Sequence, residues 1–197
     1  MKKVFIYPKF YRTLKRGPQV ILPKDIGIIL SYACINKDSV CADAGTGSGW
    51  LAVSMARVAK HVYTYDIRED FIKIAQKNVE IANLNNITIT ECDVTKKIDA
   101  KNVDIFTLDM PNAEKALKNV KKALKENGIV VGYLPHMEQV VAFTKKLNAL
   151  KFEEPYVLEC ILRDILVREN GMRPSTKGIW HTAYLVFSRK PAKNLDQ

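Results

Sequence analysis

Residues 43–49 read Asp43-Ala44-Gly45-Thr46-Gly47-Ser48-Gly49, with glycine at alternate positions. The apolar run Val40-Cys41-Ala42 precedes them, and Leu51, Val53, Met55 and Val58 follow in a segment from 50 to 59. That order predicts a short buried strand, a tight turn and an amphipathic helix. A strand that feeds directly into a helix is the start of a βαβ unit in a parallel sheet. Glycines at 45, 47 and 49 let the backbone turn sharply and approach a ligand closely. The spacing is not the Gly-x-Gly-x-x-Gly of dinucleotide sites. An acid at 43 would repel a pyrophosphate and welcome a cation.

The rest of the chain repeats the alternation. A helix is expected over 25–33, capped by Asp25. Strands are expected over 62–65, 87–90, 103–108 and 129–133. Helices with apolar residues at helical spacing lie between them, over 67–82 and 116–124, with Gly128 as the stop of the second. A further helix is expected over 140–150. Residues 156–167 and 181–188 are β-rich with no helix between, and are expected to pair as a long antiparallel hairpin. The expected fold is therefore α/β, a seven-stranded, mostly parallel sheet with a C-terminal antiparallel hairpin. Asp43, Asp66, Asp93 and Asp109 all fall at or just past strand ends, the edge where open sheets of this kind bind ligands.

A chain of 197 residues, 47% of them apolar, suits one domain. We divide it into a basic arm (1–15), a main domain (16–190) and a short tail (191–197). No window approaches about 18 consecutive apolar residues, so no membrane-spanning helix is expected. The apolar start is too short for a signal peptide and Pro8 ends it, which points to a cytoplasmic protein. Cys34, Cys41, Cys92 and Cys160 are scattered, with no spacing for a metal or disulfide framework, and read as reduced core residues. Lys and Arg outnumber Asp and Glu by 31 to 21, a net charge of +10, which favours a polyanionic partner. Lys118, Lys121, Lys122 and Lys125, with Lys145 and Lys146, are either phosphate contacts or a solvated helix face.

The glycine loop and its acids fit S-adenosylmethionine, which carries a sulfonium, an ammonium and a carboxylate but no phosphate. Asp66, 17 residues beyond Gly49, could accept hydrogen bonds from both ribose hydroxyls. Asp93 could meet the adenine amine, and the neighbours Ile67 and Val94 join the candidate cofactor set. The combination predicts a class I methyltransferase domain. Each feature also has a plain structural reading. Asp109 could cap a helix, Tyr133 could be packing, and His181 and His136 could be structural or surface histidines.

Several stretches together resemble the T-loop tRNA (adenine-N1)-methyltransferase family. They are Arg16-Gly17-Pro18-Gln19-Val20-Ile21-Leu22-Pro23-Lys24-Asp25, Ala44 to Gly49, Leu108-Asp109-Met110-Pro111, Tyr133-Leu134-Pro135 with Gln139-Val140, and Arg173-Pro174 with His181-Thr182. The resemblance spans 16–189. It implies methyl transfer from S-adenosylmethionine to N1 of an adenine in tRNA, and a homotetramer. Asp109 would orient the exocyclic amine and stabilise the positive charge that develops on the base. Tyr133 would wall or stack the flipped base. Gln19 and Asp25 would line the pocket mouth, with Gln19 also reaching the cofactor. Leu22, Lys24, Arg173 and His181 would face the substrate.

The chain departs from that family's pattern at three places. Leu22 stands where members have Tyr or His. Asn112-Ala113-Glu114 follows Pro111 where members continue with Pro-Trp. About 15 residues precede Arg16, where members carry a small β-rich domain that helps hold tRNA. Two other readings share the glycine loop: a small-molecule methyltransferase of the corrinoid-pathway type, and a non-catalytic RNA-binding subunit.

Overall fold

A computed structural model of the protein describes residues 8–17 and 19–192. Lys2 and Lys3 of the basic arm, Pro18 and residues 193–197 lie outside the described residues. The elements are α1 (Lys9–Thr13), α2 (Pro23–Tyr32), β1 (Val40–Ala44), α3 (Trp50–Ala56), β2 (His61–Asp66), α4 (Glu69–Ala82), β3 (Ile87–Glu91), β4 (Val103–Leu108), α5 (Leu117–Ala123), β5 (Leu124–Leu134), α6 (Met137–Ala149), β6 (Tyr156–Glu159), β7 (Ile165–Arg168), β8 (Gly171–Pro174) and β9 (Tyr184–Arg189). Seven strands form one sheet in the order β3-β2-β1-β4-β5-β9-β6. Strands β1 to β5 pair in parallel. β9 runs antiparallel to β5 and to β6.

Period-two alternation sends successive side chains to opposite faces. Cys41, Ile105 and Val131 face a core with α2 and α3, whereas Ala42, Phe106 and Val130 face one with α5 and α6. Fully burying Phe106 and Phe143 contributes about 2–3 kcal/mol each. The carboxyl ends of β1, β2 and β4 therefore meet at one edge, with α2 on the near face.

Three expectations need correction. Asp25 does not cap α2. Pro23 starts that helix after Leu22, and Asp25 lies in the first turn with its side chain buried. Gly128 does not stop α5. The helix ends at Ala123, and Gly128 lies within β5, where its carbonyl accepts from the Lys190 N–H at 2.8 Å. The long hairpin is broken. Only Tyr156–Glu159 pairs with β9, whereas β7 pairs with β8 in a separate two-stranded ribbon. Just past the end of that ladder the Cys160 carbonyl accepts from Lys24 Nζ at 2.6 Å. Beyond it, a two-residue turn, Glu169-Asn170, lets Arg168 pair with Gly171 locally, and Gly171 has φ +138°. A short loop closes at little entropic cost.

The lysine cluster is partly structural. Lys121 donates to the Leu150 carbonyl and Lys125 pairs with Asp104. Among the described residues, no helix is long and apolar enough to cross a membrane, and no cluster could hold a metal ion.

Candidate active site

The glycine loop leaves β1 and is pinned at once. The N–H groups of Gly45 and Thr46 donate to the Tyr65 carbonyl at 2.9 and 3.1 Å. The Asp109 N–H donates to the Ala44 carbonyl at 2.8 Å, so the end of β4 lies directly against the turn. A Cβ on Gly45 would stand 1.8 Å from the Asp109 carbonyl oxygen, which is why this position holds glycine.

Asp43 sits behind the loop with 1% exposure. Its oxygens accept from Thr107 Oγ1 at 2.5 Å and Thr64 Oγ1 at 3.0 Å. Burial pushes its carboxyl up to about 6, against the pull of the two hydroxyls. Asp43 is therefore held inside the fold and does not line the cleft beside the loop.

Asp66 ends β2, and its Oδ2 accepts from the Gly47 N–H at 2.9 Å. Its Oδ1 accepts from the Arg68 backbone N–H at 3.1 Å and from Arg68 Nε at 3.3 Å. The Arg68 guanidinium lies 3.7 Å over the Phe71 ring. A ribose reaching Asp66 must share or displace the Arg68 side chain. Ile67 is exposed beside it. Asp93 is engaged by the Thr95 N–H and hydroxyl at 3.0 and 2.6 Å, which hold its carboxyl below the usual range. Val94 is buried in the α5 and α6 core, so only its backbone is available to a ligand.

A narrow cleft is lined by Gln19, Val20, Ile21, Gly45 to Ser48, Trp50, Leu51 and Asp109. The Ser48 hydroxyl is buried with no hydrogen-bond partner among the described residues. Such a group costs stability unless a ligand satisfies it. Burial pushes Asp109 up to about 7, with the Asp43 charge adding to it and Arg68 opposing. Tyr133 lies near the end of β5 and packs against the α2 and α3 core. Burial raises its phenol above the ordinary range, with the charge of Asp25 adding to the shift.

The sequence pattern of the GCD14 family, described as the tRNA methyltransferase complex GCD14 subunit, matches residues 8–182. The chain belongs to this tRNA methyltransferase family. It is 37% identical to the tRNA (adenine(57)-N(1)/adenine(58)-N(1))-methyltransferase TrmI of Methanocaldococcus jannaschii, over 94% of this chain and 77% of that one. Its fold is similar to the crystal structure of tRNA (m1A58) methyltransferase TrmI from Aquifex aeolicus, with TM-score 0.86 and 30% identity, over 93% of this chain and 76% of that one. A SAM-dependent O-methyltransferase from Thermotoga maritima superposes with TM-score 0.89 at 29% identity, over 96% of this chain and 74% of that one. The class I methyltransferase fold expected from the glycine loop is thus correct.

Within this GCD14-family chain, the residues expected to face substrate are dispersed. Leu22 is half-buried, and its carbonyl receives the Asp25 and Ile26 N–H groups at 2.9 and 3.0 Å. Lys24 is not a free phosphate contact. Its Nζ donates to Asp25, Thr182 and the Cys160 carbonyl at 2.7, 2.7 and 2.6 Å, and its side chain is 7% exposed. An ammonium has three protons, and here all are committed. Arg173 lies on the exposed ribbon, does not line the cleft, and contacts the Pro174 carbonyl. His181 bridges Glu159 Oε1 at 2.6 Å and the Pro135 carbonyl at 2.8 Å. Both acceptors favour the imidazolium, Glu159 most, and raise its pKa. These two contacts tie it to the ends of β6 and β5.

One participant carries no sequence signal. Asn78, buried within α4, bonds the Lys15 N–H and carbonyl at 2.7 and 2.8 Å and the Ser48 carbonyl at 2.7 Å. It fastens the lead-in segment to the glycine loop. An asparagine inside a helix looks ordinary until the fold shows what stands opposite.

Asp66→Ala is expected to weaken cofactor binding by about tenfold to a hundredfold, the scale of losing a hydrogen-bonded charged acceptor. Calorimetric titration with S-adenosylmethionine checks it. An unchanged Kd would remove Asp66 from the ribose site.

Proposed function

We propose that this chain transfers the methyl group of S-adenosylmethionine to N1 of an adenine in tRNA. The observation that carries this reading is Asp109, a carboxylate held against the glycine loop and lining the cleft beside it. The unsatisfied Ser48 hydroxyl and the close backbone approach at Gly45 fit the polar end of S-adenosylmethionine. The names of the TrmI relatives support the tRNA adenine. Net charge of +10 suits a polyanion.

When bound, S-adenosylmethionine supplies an electrophilic methyl on a sulfonium. The adenine N1 is neutral and carries its own lone pair, so no residue need deprotonate it first. The protein's task is positioning and charge stabilisation. Ionised Asp109 accepts from the exocyclic amine, which fixes the ring's orientation. As N1 acquires the methyl, positive charge spreads to that amine and its bond to Asp109 strengthens. Tyr133 walls the pocket on the α2 side. The exposed apolar residues Ile161, Leu162, Ile165 and Val167 support an assembly of several copies of this chain, as the family resemblance implies.

The test is incubation with labelled S-adenosylmethionine and unmodified tRNA, followed by nucleoside mapping. Label is expected in 1-methyladenosine. Measurable cofactor binding without incorporation would overturn the reading.

Because Asp109 must be ionised, kcat/KM is expected to rise with pH through about 7 and then level. The same raised carboxyls affect stability. Between the ordinary value of 3.8 and the values of about 6 and 7, the folded chain binds more protons at Asp43 and Asp109 than the unfolded chain. Their contribution therefore falls as pH rises across that window. Thermal melts of the cofactor-free protein across it check this. A contribution that increased with pH would contradict the burial of these two groups.

A further inference from the structure

The parallel crossover from β3 to β4 passes two strands, β2 and β1, and residues 92–102 make it without a helix. Such connections are usually helical. This one is fixed at two points instead. The Ala100 N–H donates to the Tyr65 hydroxyl at 3.2 Å, and Asn119 Nδ2 of α5 donates to the carbonyls of Val94 and Thr95 at 3.1 and 2.9 Å. A trough of about 270 Å³ is left between the crossover and α5. Lys96, Lys97 and Lys101 of the crossover line it together with Lys122 of α5, and no acid does. The fold engages two of these lysines. Lys96 pairs with Asp93 at 3.5 Å and Lys97 with Asp99 at 2.7 Å. Lys101 and Lys122 are exposed, and among the described residues neither has an ion pair or a side-chain hydrogen bond. Lys118 stands one turn before Lys122 in a helix without acids, and like charges four residues apart cost stability.

Lysines on a convex helix face are solvated and need no ligand. A concave wall lined by one sign of charge differs, because it focuses the field and concentrates the opposite charge. We propose that the trough between the β3–β4 crossover and α5 binds the phosphodiester backbone of RNA, with Lys101 and Lys122 as its main contacts. The proposal rests on the tRNA reading above and names where this chain grips that substrate outside the cleft. Lys96 reaches Asp93, just past the carboxyl end of β3. β3 runs parallel to β2, β1 and β4, so the trough starts from the edge that carries Asp66 and Asp109. An ammonium on a flexible stem suits backbone phosphates, since it meets charge without reading bases. The Lys96 and Lys97 side chains are 83% and 72% exposed, an open wall that suits a chain of phosphates better than one enclosed ion.

The double variant Lys101→Gln with Lys122→Gln removes both unpaired charges at exposed positions, so folding is not at stake. Binding of unmodified tRNA is followed by fluorescence anisotropy from about 50 to 200 mM salt. The variant is expected to bind roughly tenfold more weakly at the lower salt, with a plot of log K against log salt shallower by about 1.5 to 2. KM for tRNA is expected to rise in step, with Kd for S-adenosylmethionine unchanged. Lys60→Gln is the control for net charge, because Lys60 is exposed just before β2 at the opposite edge of the sheet; it is expected to match wild type. In a lysine-acetylation footprint, tRNA is expected to protect Lys101 and Lys122 but not Lys60. Wild-type affinity and slope in the double variant, or an equal loss per charge in Lys60→Gln, would overturn the proposal. So would lysine-dependent binding of polyglutamate with tRNA affinity unchanged, which would assign the trough to an acidic protein. If tRNA stays unmethylated while the lysine-dependent affinity and footprint hold, the function reading fails and the trough stands. If adenine is methylated with KM and slope intact in the double variant, the trough fails and the function reading stands.

Discussion

Asp109→Asn is expected to lower single-turnover methylation by about a thousandfold while leaving the cofactor Kd within about threefold. The substitution preserves shape and removes the charge. Asp109 is the acid that the fold presses against the glycine loop through its own backbone, and burial with the nearby Asp43 holds its carboxyl near neutrality. An asparagine oxygen could still accept from the amine, but it could not answer the positive charge that grows on the base. The pH dependence should disappear with it, because the titrating group is gone. Rates near wild type, or a retained rise through about pH 7, would show that another residue does this work.

Gly45→Ala is expected to destabilise the fold by about 3 kcal/mol or more and to abolish measurable cofactor binding. Two separate penalties coincide. The residue has φ +87°, a conformation that a Cβ disfavours, and the added methyl would stand 1.8 Å from the Asp109 carbonyl oxygen and 2.7 Å from its carbonyl carbon. The obstacle is backbone, not the far end of a flexible side chain, so β4 and the loop would have to separate. That movement would also carry Asp109 away from the cleft. Gly47→Ala is a useful contrast. Its φ is +52°, but the nearest atom to an added Cβ is 3.8 Å away, so it should cost strain without a clash. Thermal melts and calorimetric titration of both variants check the ordering. A Gly45→Ala protein as stable as wild type would mean that β4 and the loop are not in contact.

Much of this was legible in the chain. The alternation of apolar runs and amphipathic segments marked the parallel strands and their helices, because period-two and helical patterns are local properties of the chain. Acids at strand ends were legible for the same reason. The C-terminal region was less legible. Residues 156–167 have β composition throughout, and composition cannot say which partner a strand takes. Only the fold shows that Tyr156–Glu159 pairs with β9 and Ile165–Arg168 with β8.

The roles of charged residues divided in the same way. Asp66 was readable as the end of the strand that follows the glycine loop, and Asp109 as the end of a later strand; that Asp109 lies against the loop comes only from the pairing of β4 with β1. Lys24 and His181 were read as facing substrate and Asp25 as lining the pocket mouth, yet each is bonded to other parts of the protein. By itself the sequence determined the fold class and set acids at strand ends, since these follow from local residue patterning. Only the tertiary structure decided which polar groups remain free for chemistry. A hydrogen bond occupies a specific proton or lone pair, and the partner that takes it comes from a remote segment that spacing does not reveal.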